Sequence, residues 1–319
     1  MQKLIAYVLL LGTLIIPCAQ VTSQPYPSKP IRIVTAEPGG GSDFVSRLIA
    51  QGIAGPLAQQ VIIENRGGGA IIPASIVAQA PADGYTMFIG AASFAIWPLI
   101  QKAPYDAVRD FAPIALAATS PNILVVNTAV EAVSVKELIA LAKSRPAGLN
   151  YASGAAISPA HLAAELFKAM AGVNIVHVPY RGSSPALIDL IAGQVQLMFA
   201  TSASVSPHIK SGRLRALAVT SAQPSALLPG VPSIAASGVP GYESVTMYGI
   251  FAPAKTPAAV IRTLNQEIAR LVRKVDVRER LMGVGVEAVG STPEELGVAI
   301  RAEIARLGKV IKDAGIRVD

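Results

Sequence analysis

The amino-acid sequence predicts an α/β protein of about two domains, on three observations. Its 319 residues exceed one ordinary domain of roughly 100 to 200 residues. Short β-branched apolar runs alternate with longer stretches of helical period, the pattern of parallel sheets covered by helices. With 52% hydrophobic and only 15% charged residues, the chain can bury enough apolar surface to offset the entropy of ordering, which excludes a disordered chain. The 27 Lys and Arg against 20 Asp and Glu leave a formal charge of +7. The positive residues are scattered, with no basic run interleaved with aromatics, so no nucleic-acid partner is expected. A single Cys excludes both a disulfide framework and a Cys-based zinc site.

In chain order, the first element is read as an export signal over residues 1–23. Lys3 is the only charge before residue 29, and the apolar run Leu4 to Ile16 is about 13 residues, short of the roughly 20 that span a bilayer. Cleavage is expected after Ala19 or after Ser23. Pro17 before Cys18 argues against lipoprotein anchoring, which asks for a small residue there. No later segment reaches 18 uninterrupted apolar residues, so the mature chain is expected to be soluble and periplasmic.

The predicted strands are Ile31 to Thr35, Val61 to Glu64, Met87 to Gly90, Ile123 to Val126, Ile175 to Val178, Val195 to Phe199 and Leu214 to Thr220. Most are continuous apolar runs, as strands buried on both faces should be. Helix starts are marked by Ser134 with Glu137, Ser158 before Pro159, Ser184 before Pro185, Thr256 before Pro257, and Thr292 before Pro293 with Glu295. Each offers a side-chain acceptor to orphan amides, and proline at the first helical position loses no hydrogen bond. Core stripes follow at Leu162, Leu166 and Met170; at Val260, Leu264, Ile268 and Leu271; and at Leu296, Ile300, Ile304, Leu307 and Ile311.

Three stretches carry the candidate chemistry, each a strand, a small-residue turn and a helix start. In Ala36-Glu37-Pro38-Gly39-Gly40-Gly41-Ser42-Asp43, glycines allow close backbone approach, and free helix-start amides suit a carboxylate or phosphate. There is no Gly-Lys-Ser/Thr and no dinucleotide glycine spacing, so nucleotide binding is not indicated. An ordinary capped turn with an Asp43–Arg47 surface pair is the alternative. In the stretch Tyr151 to His161, Ser158 caps, and His161 and Glu165 are spaced i, i+4. Without a third ligand at matching spacing this pair does not make a metal site, and His161 is expected to hydrogen-bond at the helix start. In His177-Val178-Pro179-Tyr180-Arg181-Gly182, Arg181 could grip a carboxylate and Tyr180 could wall a pocket, or Arg181 could simply be solvated. No nucleophile elbow or Gly-x-Ser-x-Gly is present, so no catalytic residue is assigned. Such turns at the strand ends of two facing α/β domains would form a cleft for a small anion.

Across nearly the whole mature chain, a series of motifs resembles the substrate-binding proteins of tripartite tricarboxylate transporters, the Bug-type receptors. They include Pro38-Gly39-Gly40 with Asp43 and Arg47, Glu64-Asn65-Arg66, Asp83-Gly84-Tyr85-Thr86, His177-Val178-Pro179-Tyr180-Arg181-Gly182, Gly193-Gln194-Val195-Gln196 and Leu214-Arg215-Ala216. The resemblance implies an α/β periplasmic-binding-protein fold of the two-crossover type, two α/β domains around a ligand cleft. Crossings are expected near 122–127 and 245–252, with domain 1 over 24–122 and 246–319 and domain 2 over 123–245. It implies no cofactor, and as partners a small organic solute, by the family's habit one bearing a carboxylate, and a large and a small membrane permease subunit. The receptor itself is expected to be a monomer and not an enzyme. Other outcomes are a co-receptor for a sensor kinase, or an enzyme of the same fold class. Carried over by position, the ligand-binding residues are Glu37, Pro38, Gly39, Gly40, Asp43, Ser93, Ser153, Ala155, Ser158, His161, Tyr180, Arg181 and Ala200.

Departures from the family pattern fall at Ala36 and Glu37 before the Pro-Gly-Gly, at Gly67-Gly68-Gly69-Ala70, at Ala156-Ile157, and at Ala200 in place of a common Asp. A carboxylate at Glu37 facing the cleft would repel a second ligand carboxylate. The expectation is then a ligand with an ammonium, ring nitrogen or neutral polar end facing Glu37; the alternative is a solvent-facing Glu37.

Overall fold

A computed structural model describes residues 26–36, 38–67, 70–154 and 158–313. The expected export signal, Glu37, part of the second glycine-rich loop, and Ala155 to Ile157 lie outside the described residues.

The strands are β1 (Ile31–Thr35), β2 (Val61–Asn65), β3 (Thr86–Ala91), β4 (Phe111–Asn127), β5 (Asn150–Ser153), β6 (Val176–Pro179), β7 (Leu197–Thr201), β8 (Leu214–Val219), β9 (Val245–Pro253) and β10 (Glu287–Ala288). The helices are α1 (Gly41–Ala54), α2 (Ile71–Ala78), α3 (Ser93–Ile96), α4 (Val135–Ser144), α5 (Pro159–Ala171), α6 (Ser183–Ile191), α7 (Ser202–Lys210), α8 (Ala258–Val272), α9 (Val275–Met282) and α10 (Pro293–Asp313). Among the described residues no helix is long and apolar enough to cross a membrane.

The strands run in the order β2-β1-β3-β9-β4-β7-β5-β6, with β8 and β10 also paired to β4. β1 pairs in parallel with β2 and β3, and β5 with β6 and β7. The expectation of parallel sheets holds only for these outer strands. β9 runs antiparallel to β3 and β4, and β4 antiparallel to β7, β8 and β10, because both long strands carry the chain between the two halves.

β4 is far longer than the expected Ile123 to Val126. Its first part, Phe111 to Pro121, pairs with β9, and its last part, Asn122 to Asn127, pairs with β7 and β8. Pro121 marks the exchange of partners, where a residue without an N–H gives up least. Each half of the sheet is covered on both faces. α1, α8 and α9 enclose one core and α2, α3 and α10 another on the first half. α4 and α5 lie opposite α6 and α7 on the second. Ile96, Leu162, Leu307 and Ile311 form a further core that ties α5 to α10 across the two halves.

Ser134, Ser158 and Thr292 cap as expected, the last in a reciprocal box with Glu295. Two expected caps are corrected. α6 begins at Ser183 behind Gly182 (φ 114°), without a side-chain cap, so Ser184 already lies inside the helix. α8 follows Pro257 with no side-chain cap, and the Thr256 hydroxyl is buried without a partner. Met170 also leaves the expected stripe, at 41% exposure. Residues four apart drift about 40° around a helix at each step, and Phe167 takes its place in the core.

Candidate functional site: a cleft lined by helix starts and neutral donors

The turn between β1 and α1 is held from beneath. The Asp43 carboxylate, 5% exposed, accepts from the Gly39 amide (3.0 Å), Arg47 Nε (3.0 Å) and Asn65 Nδ2 (2.8 Å). Asn65 Nδ2 also donates to the Ala36 carbonyl at 2.8 Å, so one side chain fixes both ends of the turn. Burial pushes the Asp43 carboxyl up, but the hydrogen bonds from Arg47, Gly39 and Asn65 outweigh it and hold the group below the usual carboxylate range. Gly39 has φ +83°, a left-handed turn that glycine enters without strain. Pro38, Gly39 and Gly40 form the exposed crest of this turn.

A cavity of about 270 Å³ opens between the two halves of the molecule. From the first half it is walled by Gly41 and Ser42 at the start of α1, Ala91 at the end of β3, and Thr246 and Tyr248 of β9. From the second half come Ser158, Pro159 and Ala160 at the start of α5, Ser183 at the start of α6, Met198 to Thr201 of β7, and Ser204 of α7. Asn122 lies on its wall where β4 changes partners. A Cβ on Gly41 would collide with the Tyr248 hydroxyl, so a larger residue there would displace that ring from the cavity wall.

Among the described residues, no formally charged side chain lines this cavity. The polar wall is made of hydroxyls, an amide and the exposed backbone ends of α1, α5, α6 and α7, which carry partial positive charge. Such a wall suits an anion without a counter-charge to desolvate. No group of three or more His, Cys, Asp or Glu among the described residues could hold a metal ion.

The residues expected to bind ligand are thus distributed unevenly. Ser158 and Ala200 line the cavity. Pro38, Gly39, Gly40 and Asp43 shape the turn that presents Gly41 and Ser42 rather than lining the cavity themselves. Ser93 faces a separate, smaller cavity behind the crossing strands, beside Ser244 and Glu303. Tyr180 donates its hydroxyl to Asp189 (2.7 Å), and Arg181 is exposed on the turn ahead of α6. Glu37 and Ala155 lie outside the described residues.

Ser153 and His161 belong to a layer beneath the α5 start. The His161 and His177 rings stack at 4.2 Å between centroids, and Tyr151 stacks on His177 at 4.8 Å. Ser153 Oγ lies 2.8 Å from His177 Nε2. Glu165 accepts from the Tyr151 hydroxyl at 2.5 Å and from Lys168 at 2.7 Å, and its carboxylate is 4.0 Å from His161. Burial first, and His177 second, push the His161 imidazole down to about 4. The layer positions the turn before α5 through packing, with His161 neutral at neutral pH.

Asn122, Ser183, Ser204, Thr246 and Tyr248 line the cavity without having been given a ligand role from the sequence, and Gly41 and Ser42 line it from within the first candidate stretch. Serines at or just inside helix starts that follow strands are a legible signal for part of this set. Nothing local marks Asn122, Thr246 or Tyr248, whose role depends on the meeting of two strands distant in sequence.

Two α/β halves joined by crossing strands around an anion-suited cleft define a solute-binding protein of the periplasmic-binding-protein class. The sequence match agrees: residues 45–316 match the family described as "Tripartite tricarboxylate transporter family receptor". The chain belongs to this family of periplasmic solute-binding receptors, which includes the Bug proteins. It is 34% identical to Protein BugT of Bordetella pertussis over 305 residues, 94% of each chain. Among solved structures it resembles Rpa4515 of R. palustris with adipate, at 38% identity and TM-score 0.75, over 92% of this chain and 99% of that one. It also resembles MatC (Rpa3494) of Rhodopseudomonas palustris with bound malate, at 29% identity and TM-score 0.72, over 90% and 100% of the two chains.

Proposed function

We propose that this protein captures a small organic carboxylate in the periplasm and delivers it to a tripartite tricarboxylate-type membrane transporter, docking on its large and small permease subunits as a monomer. The observation that carries the reading is the cleft walled by helix starts from both halves, with no formally charged side chain among the described residues that line it. A carboxylate bridging them would gain contacts only when the halves close, so binding would favour the closed state that a permease can recognise. Adipate and malate in the related structures support a carboxylate class.

In this reading residues 1–23 direct export, 24–122 with 246–319 form the first domain, and 123–245 form the second. The exchange of partners by β4 at Pro121 and Asn122, and the entry of β9 at Val245, support those limits. The chemistry is binding and release, without bond making.

The test is calorimetric titration with mono-, di- and tricarboxylates against matched neutral and cationic solutes, together with native mass spectrometry of protein purified without denaturation. At least one carboxylate should bind and be recovered unchanged. Binding confined to neutral or cationic solutes, or conversion of the bound compound, would overturn the reading.

A further inference from the structure

Among the described residues, every tyrosine hydroxyl but one is engaged by the protein. Tyr26 donates to the Gly84 carbonyl (2.7 Å), Tyr105 to the Phe94 carbonyl (2.8 Å) and Tyr242 to the Ala163 carbonyl (2.9 Å). Tyr151 donates to Glu165 (2.5 Å) and Tyr180 to Asp189 (2.7 Å), while the Tyr85 hydroxyl accepts from the Ser28 amide (2.8 Å). The exception is Tyr248, whose hydroxyl has no hydrogen-bond partner and is perturbed by burial alone. The residue as a whole is 9% exposed, yet its oxygen keeps accessible surface. Native proteins complete such buried polar groups, and a hydroxyl left open on a cavity wall is suited to completion by a ligand.

The position of this oxygen is fixed by the fold. Tyr248 sits on β9 between Ala91 of β3 and Ala118 of β4, and its ring belongs to the core beneath α1 and α8. The hydroxyl reaches the cavity wall against Gly41, the first residue of α1. That helix opens behind Gly40 with no side-chain cap, and its first bond runs from Phe44 N to the Gly40 carbonyl (3.0 Å). The N–H groups ahead of Phe44 therefore have no partner within the helix. Asp43, the acid of this first turn, is occupied with Gly39, Arg47 and Asn65. Burial pushes the Tyr248 hydroxyl up, so it remains a protonated donor wherever carboxylates are ionised. A neutral donor on a packed ring adds to anion binding with no second ion to desolvate and little side-chain freedom left to lose.

Resting on the carboxylate-receptor reading, we propose that Tyr248 is a ligand-contacting residue whose hydroxyl donates to the solute carboxylate at the start of α1 and completes the first-half end of the site. Phenylalanine differs from it by that oxygen alone, so the contact can be removed without emptying the core.

The test is calorimetric titration of the full chain and of Tyr248→Phe with benzoate, succinate, malate, adipate and citrate. For whichever compound binds the parent most tightly, the variant should lose about tenfold or more in affinity, as the loss of a hydrogen bond to a charged group does. Ligand-free Tyr248→Phe should melt no lower than the parent, because the hydroxyl has no bond in the protein to lose. In protein labelled with carbon-13 at tyrosine Cζ, binding should shift the resonance that is missing from Tyr248→Phe. Unchanged affinity in the variant, a sharp drop in its melting temperature, or a Tyr248 resonance that binding does not move would each overturn the inference while leaving the carboxylate-receptor reading intact. Should the phenylalanine variant fail to fold, Gly41→Ala, whose Cβ meets the hydroxyl and displaces it, should show the same loss, and unchanged affinity there would overturn the inference. Binding of no carboxylate to the parent is the failure of the receptor reading itself.

Discussion

At His161 a single buried imidazole sets a pH limit on the fold. Its pKa falls from an ordinary 6.5 to about 4, with burial as the main cause and His177 as the second. His177 is lowered as well, again chiefly by burial. Between about 6.5 and 4 the unfolded chain therefore binds a proton that the folded chain refuses. Stability is complete above pH 6.5, declines as the pH falls through that window, and loses nothing further from this group below pH 4. For His161 the loss is on the order of 3 kcal/mol or less. Urea unfolding at pH 8, 6 and 5 should show this decline, and it should be smaller in His161→Gln; an equal decline in both proteins would remove His161 as its source. The sequence offered His161 and Glu165 at helical spacing, but not the stack with His177, whose strand lies on the far side of α5 in the chain. Likewise the Asp43–Arg47 pair was legible from its spacing, while the bond that the Gly39 amide donates to Asp43 was not. Spacing says which groups can meet along one helix; it does not say which way a loop folds back over them.

Helix starts were the most legible elements, and the successes and failures share one cause. Thr292 and Glu295 form their box because both partners lie within four residues, so the geometry is settled locally: Glu295 N donates to Thr292 Oγ1 (3.1 Å), and Thr292 N to Glu295 Oε2 (2.8 Å). Replacing Thr292 with Ala should destabilise the protein by about 1 kcal/mol without altering ligand affinity, since the cap lies outside the cavity lining. Chemical denaturation and titration on the same variant check both halves of that expectation; a loss of affinity with unchanged stability would contradict it. Ser184 looked equally good before Pro185, yet α6 begins one residue earlier, at Ser183. The bond from Gly182 N to the Gly154 carbonyl (2.6 Å) ties that start to the neighbouring turn, so a tertiary contact overrides the local cap. The strands follow the same rule. β1, β2 and β3 were found within a residue or so, because an apolar run is a local property. The first part of β4, Phe111 to Pro121, carries two prolines and became a strand only because β9 lies alongside it.

For the molecule as a whole, the two halves are joined by more than the crossing strands. Ile96, Leu162, Leu307 and Ile311 make a small shared core, so α10 packs on the first half of the sheet and against α5 of the second. Trimming Leu307, 3% exposed, to Ala should cost about 2–5 kcal/mol, as large-to-small changes in cores do. Because this core is shared, the loss should appear as a broadened or split calorimetric transition, whereas a single sharp transition at the parent temperature would show that α10 does not couple the halves. Composition and alternating periods were enough to establish an α/β chain of more than one domain, and the order of motifs along it was enough to place it in its family. These are properties of residue types and of neighbours in sequence. The antiparallel centre of the sheet, the partner exchange at Pro121 and the grouping of Asn122, Thr246 and Tyr248 with the starts of α1 and α5 were decided only in three dimensions. The cleft is assembled from segments that lie more than a hundred residues apart, and its lining is set by which strands pair rather than by what any one segment prefers.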